Sequence, residues 1–147
     1  ALYRGQLFFN KNNKIQKQLE KAANEELDHL AWCQSRIKEL DGRISYLNPL
    51  LYLGSFTIGS IASIIDEKYN LGFLSETEKQ VSLHLDSHLK TISLKDKRTI
   101  AIIKQMKKDE DKHEASAILM GAKELPSLIQ KTMKFTSKLM TASTFRI

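Results

Sequence analysis

Two stretches of this 147-residue chain repeat one chemical pattern: Glu26 and His29 stand three residues apart, and so do Glu110 and His113. On a helix such residues share a face, so a carboxylate and an imidazole at this spacing can reach the same ion. Each pair falls on an apolar stripe. The first stripe is Leu19, Ala22, Glu26, His29, Cys33 and Leu40, flanked by Ile15 and Ile37, with Glu25 and Asp28 off to the side. The second is Ile103, Met106, Glu110, His113, Ala117 and Met120. A third stripe, Leu74, Glu78, Val81, Leu85, His88 and Ile92, adds Glu78. An ionised carboxylate within an apolar face is costly unless it is paired or bound to metal. A set of carboxylates with two imidazoles suits iron or manganese better than structural zinc or calcium. Two such ions with open positions can bind and reduce dioxygen.

Plainer readings of the same residues exist. A Glu-x-x-His pair can belong to a solvated helix face, but these pairs lie on the apolar side. Ser75-Glu76-Thr77-Glu78 also fits a capping box, in which Glu78 would only satisfy the start of a helix. His84 and His88 lie about 9 and 15 Å along a helix axis from Glu78. His88 is therefore read as a satisfied core histidine, and His84 at most as a supporting group behind the ligands. Cys33 is read as a small core residue, because hard carboxylate sites rarely take a thiolate.

Helices must position these groups. With only 6 Gly and 2 Pro, the chain has too few breakers for the many turns of an all-β fold. Apolar residues make up 41% and charged residues 27%, which excludes a disordered chain. The single cysteine excludes an internal disulfide and a Cys-rich zinc site, and fits a reducing compartment. Six helical segments are expected in one all-α domain over residues 1–147. The first ends near Phe9, and the second runs from about Lys14 to Leu40 and stops at Asp41-Gly42. Asn48 as N-cap and Pro49 at the first position start a third, which ends near Asp66-Glu67-Lys68. The others cover about Leu74 to Ile92, about Lys97 to Met120, and Leu125-Pro126 to the C-terminus.

Bundles that hold two metals between carboxylates take a lone Glu from two helices and Glu-x-x-His from two. Glu78 supplies one lone Glu, yet no acidic residue occurs between Ala1 and Gln18. The opening Ala1-Leu2-Tyr3-Arg4-Gly5-Gln6-Leu7 reads like the interior of a helix already under way. The expectation is that residues upstream of Ala1 are missing, and that the remaining carboxylate lies among them.

From Ile44 to Ile65 there are 22 residues without a charge. The length matches a membrane span, but a crossing would put Glu26 and His29 on one side of the membrane and Glu78 on the other. Ser55, Gly59 and Ser63 form a stripe of small residues for close helix contact. A buried core helix is the plainer alternative. The preferred reading packs this helix on the bundle by its small face and leaves it at a lipid surface or lining a lipid pocket, with Leu50, Leu53, Phe56 and Ile61 as the pocket residues. The last helix mixes Leu128, Met133, Phe135, Leu139 and Met140 with Lys131, Lys134, Lys138 and Arg146, a composition that favours anionic membranes. The net charge of +6 is not accompanied by an aromatic platform or a nucleic-acid-binding motif, so no nucleic-acid partner is expected.

The chain resembles the demethoxyubiquinone hydroxylase family of ubiquinone biosynthesis. The resemblance rests on Leu2-Tyr3-Arg4-Gly5-Gln6, Glu25-Glu26-Leu27-Asp28-His29-Leu30-Ala31-Trp32-Cys33, Leu47-Asn48-Pro49-Leu50 with Gly54-Ser55-Phe56, Glu76-Thr77-Glu78, Asp109-Glu110-Asp111-Lys112-His113 and Thr136-Ser137-Lys138-Leu139-Met140. It implies a ferritin-like four-helix bundle with one or two additional membrane-facing helices. It implies two iron ions held by Glu26, His29, Glu78, Glu110 and His113, with Glu26 and Glu110 as bridges. The implied reaction is hydroxylation of a polyprenyl demethoxyquinol ring by dioxygen, with NADH as the implied reductant, although no Gly-rich dinucleotide loop is present. The implied place is peripheral, on the cytoplasmic face of a bacterial cell membrane or its mitochondrial inner-membrane equivalent, with other ubiquinone-biosynthesis proteins as partners. The departure is the absent first-helix Glu; a chain starting at Ala1 would hold five of six ligands and load metal poorly. Two other classes fit parts of the pattern: a ferritin-like protein that stores or detoxifies iron, and a metal-free lipid-binding or scaffold module.

Overall fold

The computed structural model describes residues 1–144. Six helices follow one another: α1 (Leu2–Phe9), α2 (Asn13–Glu39), α3 (Asn48–Ile65), α4 (Glu67–Thr91), α5 (Lys97–Leu119) and α6 (Ser127–Thr144). The fold is all-α, consistent with a ferritin-like bundle. α4 packs along α5 and α1 along α3, contacts of α1 and α5 with α2 and of α3 with α4 close the bundle, and α6 leans on α4. Arg146, counted with the basic face of the last helix, lies outside the described residues.

Local chemistry sets the helix ends. Asn12 caps α2 by accepting from the backbone N–H groups of Lys14 and Ile15. Where Asp41-Gly42 was expected to stop α2, Asp41 takes the left-handed conformation (φ 55°) and the Gly42 N–H closes back on the Ile37 carbonyl at 2.8 Å. Gly121 (φ 98°) and the Ala122 N–H end α5 in the same way.

Two boundaries differ from expectation. Leu47, not Asn48, is the N-cap of α3, so Asn48 stands inside the helix beside Pro49. α4 begins at Glu67, well before Leu74, because the Asp66 side chain accepts from the Lys68 and Tyr69 N–H groups and starts a new helix where the previous one ends. Glu78 therefore lies deep inside α4, and the capping-box reading of Ser75–Glu78 fails.

The apolar core fills one end of the bundle: Tyr3, Ile15, Leu19, Ala22, Leu71, Leu74 and Ala117 are buried together. Gln6, fully buried, donates to the carbonyl and side-chain oxygens of Asn70 at 3.1 and 2.8 Å, tying α1 to the start of α4. α3 is not a core helix: only Gly59 and Ala62 are buried, while Leu50, Leu53 and Ile61 are 67, 62 and 55% exposed. Its small residues let the backbones of α1 and α3 meet at Gly5 and Gly59.

Candidate metal centre

Next to the apolar core the helices point acidic groups at one another. Ligand atoms of Glu26, Glu78, Glu110 and His113 all lie within 4.8 Å of one another. Glu78, Glu110 and His113 are 3, 2 and 3% exposed, and His29 is 2% exposed. α2 supplies Glu26 and His29, α4 supplies Glu78, and α5 supplies Glu110 and His113.

The two imidazoles are placed symmetrically. His29 Nδ1 is 3.4 Å from Glu110 Oε1 and 3.6 Å from Glu26 Oε1. His113 Nδ1 is 3.3 Å from Glu110 Oε2 and 3.9 Å from Glu26 Oε1. Glu110 thus offers one oxygen to each ring, and Glu26 lies between the rings.

The outward nitrogens are also matched. His113 Nε2 faces Glu25 Oε2 at 2.6 Å, and His29 Nε2 faces Asp109 Oδ2 at 3.4 Å. Each carboxylate comes from the helix opposite the histidine it faces. An outer carboxylate that takes the Nε2 proton leaves the Nδ1 lone pair turned inward. Sequence reasoning set Glu25 aside and did not single out Asp109, although each directly precedes the Glu of a Glu-x-x-His pair. That repeated doublet was the available signal.

Tyr3 is the contribution of α1. Its hydroxyl donates to Glu78 Oε1 at 2.8 Å, and its ring meets His113 edge-on at 5.9 Å.

Electrostatics follow from this crowding. Burial, together with the neighbouring Glu110 and Glu26 charges, pushes Glu78 well above the carboxylate range, so it is the carboxyl that takes a proton. Burial also works against ionised Glu110, but His113 and His29 beside it outweigh that and hold it far below its ordinary value. Burial would likewise lower His29, yet the carboxylates of Glu110, Glu26 and Asp109 around the ring raise it to about 10. His113 is raised in the same sense by Glu110 and Glu25, against burial.

The donor set fits metal. The buried His29 Nδ1 has no hydrogen-bond partner, and orphaned buried polar atoms are rare. Its separations from the two glutamates are too long for good hydrogen bonds but suit neighbouring ligands of one ion. Three carboxylates with two imidazoles match iron or manganese.

A cavity of about 680 Å³ opens from the cluster. Glu26, Glu78 and Glu110 form its floor, Leu27, Leu30 and Val81 its apolar walls, and Pro49, Leu51, Tyr52 and Ser55 of α3 its far side. The expected pocket residues Leu50, Leu53, Phe56 and Ile61 do not line it. The small face of α3 turns inward against α1, so Leu50, Leu53 and Ile61 face away, while Phe56 meets Phe8 of α1 edge-on at 6.0 Å. His84 is not part of the cluster either. It is exposed on α4 with its Nε2 3.0 Å from that of His88, which is also exposed rather than in the core. Cys33 is half-buried, its Sγ 3.7 Å from Met106 Sδ.

Known proteins match the chain along all of its described helices. The family model described as ubiquinone biosynthesis protein COQ7 matches residues 1–144. The 3-demethoxyubiquinol 3-hydroxylase of Nitrosomonas europaea is 47% identical over 145 residues, 99% of this chain and 70% of that protein. The protein of the same name from Polynucleobacter necessarius is 48% identical over 147 residues, all of this chain and 70% of its own length. That of Legionella pneumophila is 47% identical, over all of this chain and 69% of its own. No solved structure matches significantly. Matched from end to end of its described helices by both the family model and these relatives, the chain belongs to the ubiquinone biosynthesis protein COQ7 family.

Proposed function

We propose that this chain is a 3-demethoxyubiquinol hydroxylase, adding oxygen from O2 to the ring of a polyprenyl demethoxyquinol. Two irons would be held by Glu26, His29, Glu78, Glu110 and His113, with Glu110 and Glu26 placed between the two imidazoles. When bound, the irons supply the activation of dioxygen and the electrons delivered to it. The observation that carries this reading is the convergence of Glu26, Glu78, Glu110 and His113 on one point, with His29 beside Glu110 and the same three glutamates lining an apolar cavity.

The protein's own groups have defined tasks. Asp109 and Glu25 hold the imidazoles with their Nδ1 atoms inward. Tyr3 keeps a proton on the line to Glu78, at the cavity floor. Leu27, Leu30 and Val81 give the ring site its apolar lining. A volume of about 680 Å³ suits a substituted quinol ring with the first part of its tail.

The tail needs a lipid phase. α3 is the one helix among the described residues long and apolar enough to cross a membrane. It runs between α2 and α4, which supply ligands to the same cluster, so it lies on the bilayer rather than through it. Its exposed Leu50, Leu53, Ile61, Ile64 and Ile65 would face the lipid. α6 adds exposed Leu128, Phe135 and Leu139 beside Lys131, Lys134 and Lys138. NADH as reductant and the cytoplasmic face of the membrane remain part of the proposal through family resemblance.

The test is turnover of a demethoxyquinol in lipid vesicles by wild type and Glu110→Ala, with iron content measured in both. Loss of both iron and product in the variant is expected. Equal turnover would overturn the assignment.

A further inference from the structure

We propose that His84 and His88, near the C-terminal end of α4, form a separate surface site for one borderline divalent ion of the zinc, copper or nickel class. The two residues are one helical turn apart on an exposed face. Their Nε2 atoms are 3.0 Å apart and their ring centroids 4.5 Å apart. Ligands on one ion with metal–nitrogen bonds of about 2.0–2.1 Å lie ~2.9–3.4 Å from each other, between right-angle and tetrahedral geometry. The rings already hold that separation, so an ion needs no rearrangement of the backbone.

The donor chemistry selects the ion. Both ligands are imidazoles, which suit zinc, copper and nickel. The nearest acid on the same turn, Asp86, is engaged by Lys90 at 2.9 Å. No hard oxygen set like that of the buried cluster competes here, and solvent is free to complete the coordination. At present one Nε2–H donates to the other Nε2. On binding, that ring carries its proton on Nδ1 instead, so a neutral pair gives both lone pairs to the ion and releases no proton. Burial and the neighbouring His88 lower the pKa of His84, which keeps its ring neutral and available.

The experiment uses the full chain pre-equilibrated with iron(II), so that the buried cluster is treated alike in every sample. Zinc binding is measured by equilibrium dialysis with elemental analysis for wild type, His84→Gln, His88→Gln and the double variant. The wild type should bind one more zinc than the double variant. Each single variant should weaken that ion at least ~10-fold, equivalent to about 1.4 kcal/mol. Zinc should raise the melting temperature of the wild type and not that of the double variant, because an ion bound only to the native pair stabilises it. Both side chains are exposed, so the variants should fold. Equal zinc stoichiometry and affinity in the wild type and the double variant would overturn the site. Since all four proteins share Glu26, Glu78 and Glu110, the outcome does not depend on the function proposed for the buried centre.

Discussion

Replacing Gly5 by Ala puts a methyl carbon into the crossing of α1 and α3. That carbon would overlap the Phe56 carbonyl oxygen and lie 2.8 Å from the Ser60 nitrogen, where ordinary contact begins at 3.4 Å, and the overlap with the carbonyl oxygen forces the helices apart by more than the Ser60 contact alone would require. The obstructing atoms are backbone and cannot swing aside. Overpacking of this kind costs about 1–3 kcal/mol, and the upper part of that range applies here. Alanine's better helix propensity returns about 1 kcal/mol. The net loss is about 1–2 kcal/mol, a fall of roughly 2–8 °C in melting temperature for a chain of this size. Gly54→Ala on α3 is the control, since nothing lies within 4 Å of the added carbon. It should stabilise the protein by about 0.5–1 kcal/mol. Function should separate the two as well. Tyr3 stands half a turn from Gly5 and holds Glu78 at 2.8 Å, and misplacement by about 1 Å at a reacting centre can cost ~100-fold in rate. Thermal melting and quinol turnover are measured together on both variants. A Gly5→Ala protein that melts at or above the wild-type temperature and keeps full turnover would refute the close α1–α3 crossing and its hold on the site.

Two further outcomes follow from the ion pairs. Asp109→Asn and Glu25→Gln each remove the carboxylate that orients one imidazole; each should weaken iron binding ~10–100-fold in a chelator competition, and unchanged affinity in both would show that the rings are held by something else. Asp96 caps α5 through Thr99 and pairs with Arg36 of α2, which together hold its carboxyl at about 2 against the ordinary 3.8. A depressed folded pKa means that its stabilisation is present above about pH 4 and is lost as pH falls toward 2. Asp96→Asn keeps a capping side chain but loses the charge, so urea midpoints of wild type and variant should converge between pH 4 and 2; a constant gap across that range would show that the charge contributes nothing.

The residues that mattered most were legible from spacing. Glu26, His29, Glu78, Glu110 and His113 each occupy a stripe position where another helix covers the stripe, whereas Leu40 and His88, on the same stripes but near the helix ends, are exposed. The small-residue face of α3 was legible for the same reason. Asp66 misled the reading of α4, because one residue ended a helix and capped the next, a double use that looks like a plain stop in the chain.

Sequence alone therefore determined the helical class, the inward carboxylates and the docking face of α3, since these depend on periodicity within single helices. Only the tertiary structure decided which outer groups matter: that Glu25 reaches His113, that Asp109 reaches His29 and that Tyr3 bonds Glu78. It also decided that Leu51, Tyr52 and Ser55 line the cavity while Leu50 and Leu53 face outward. The reason is geometric. Each of these depends on the rotation and spacing of one helix against another, set by how closely backbones approach at Gly5 and Gly59, and no periodicity within one helix encodes that distance.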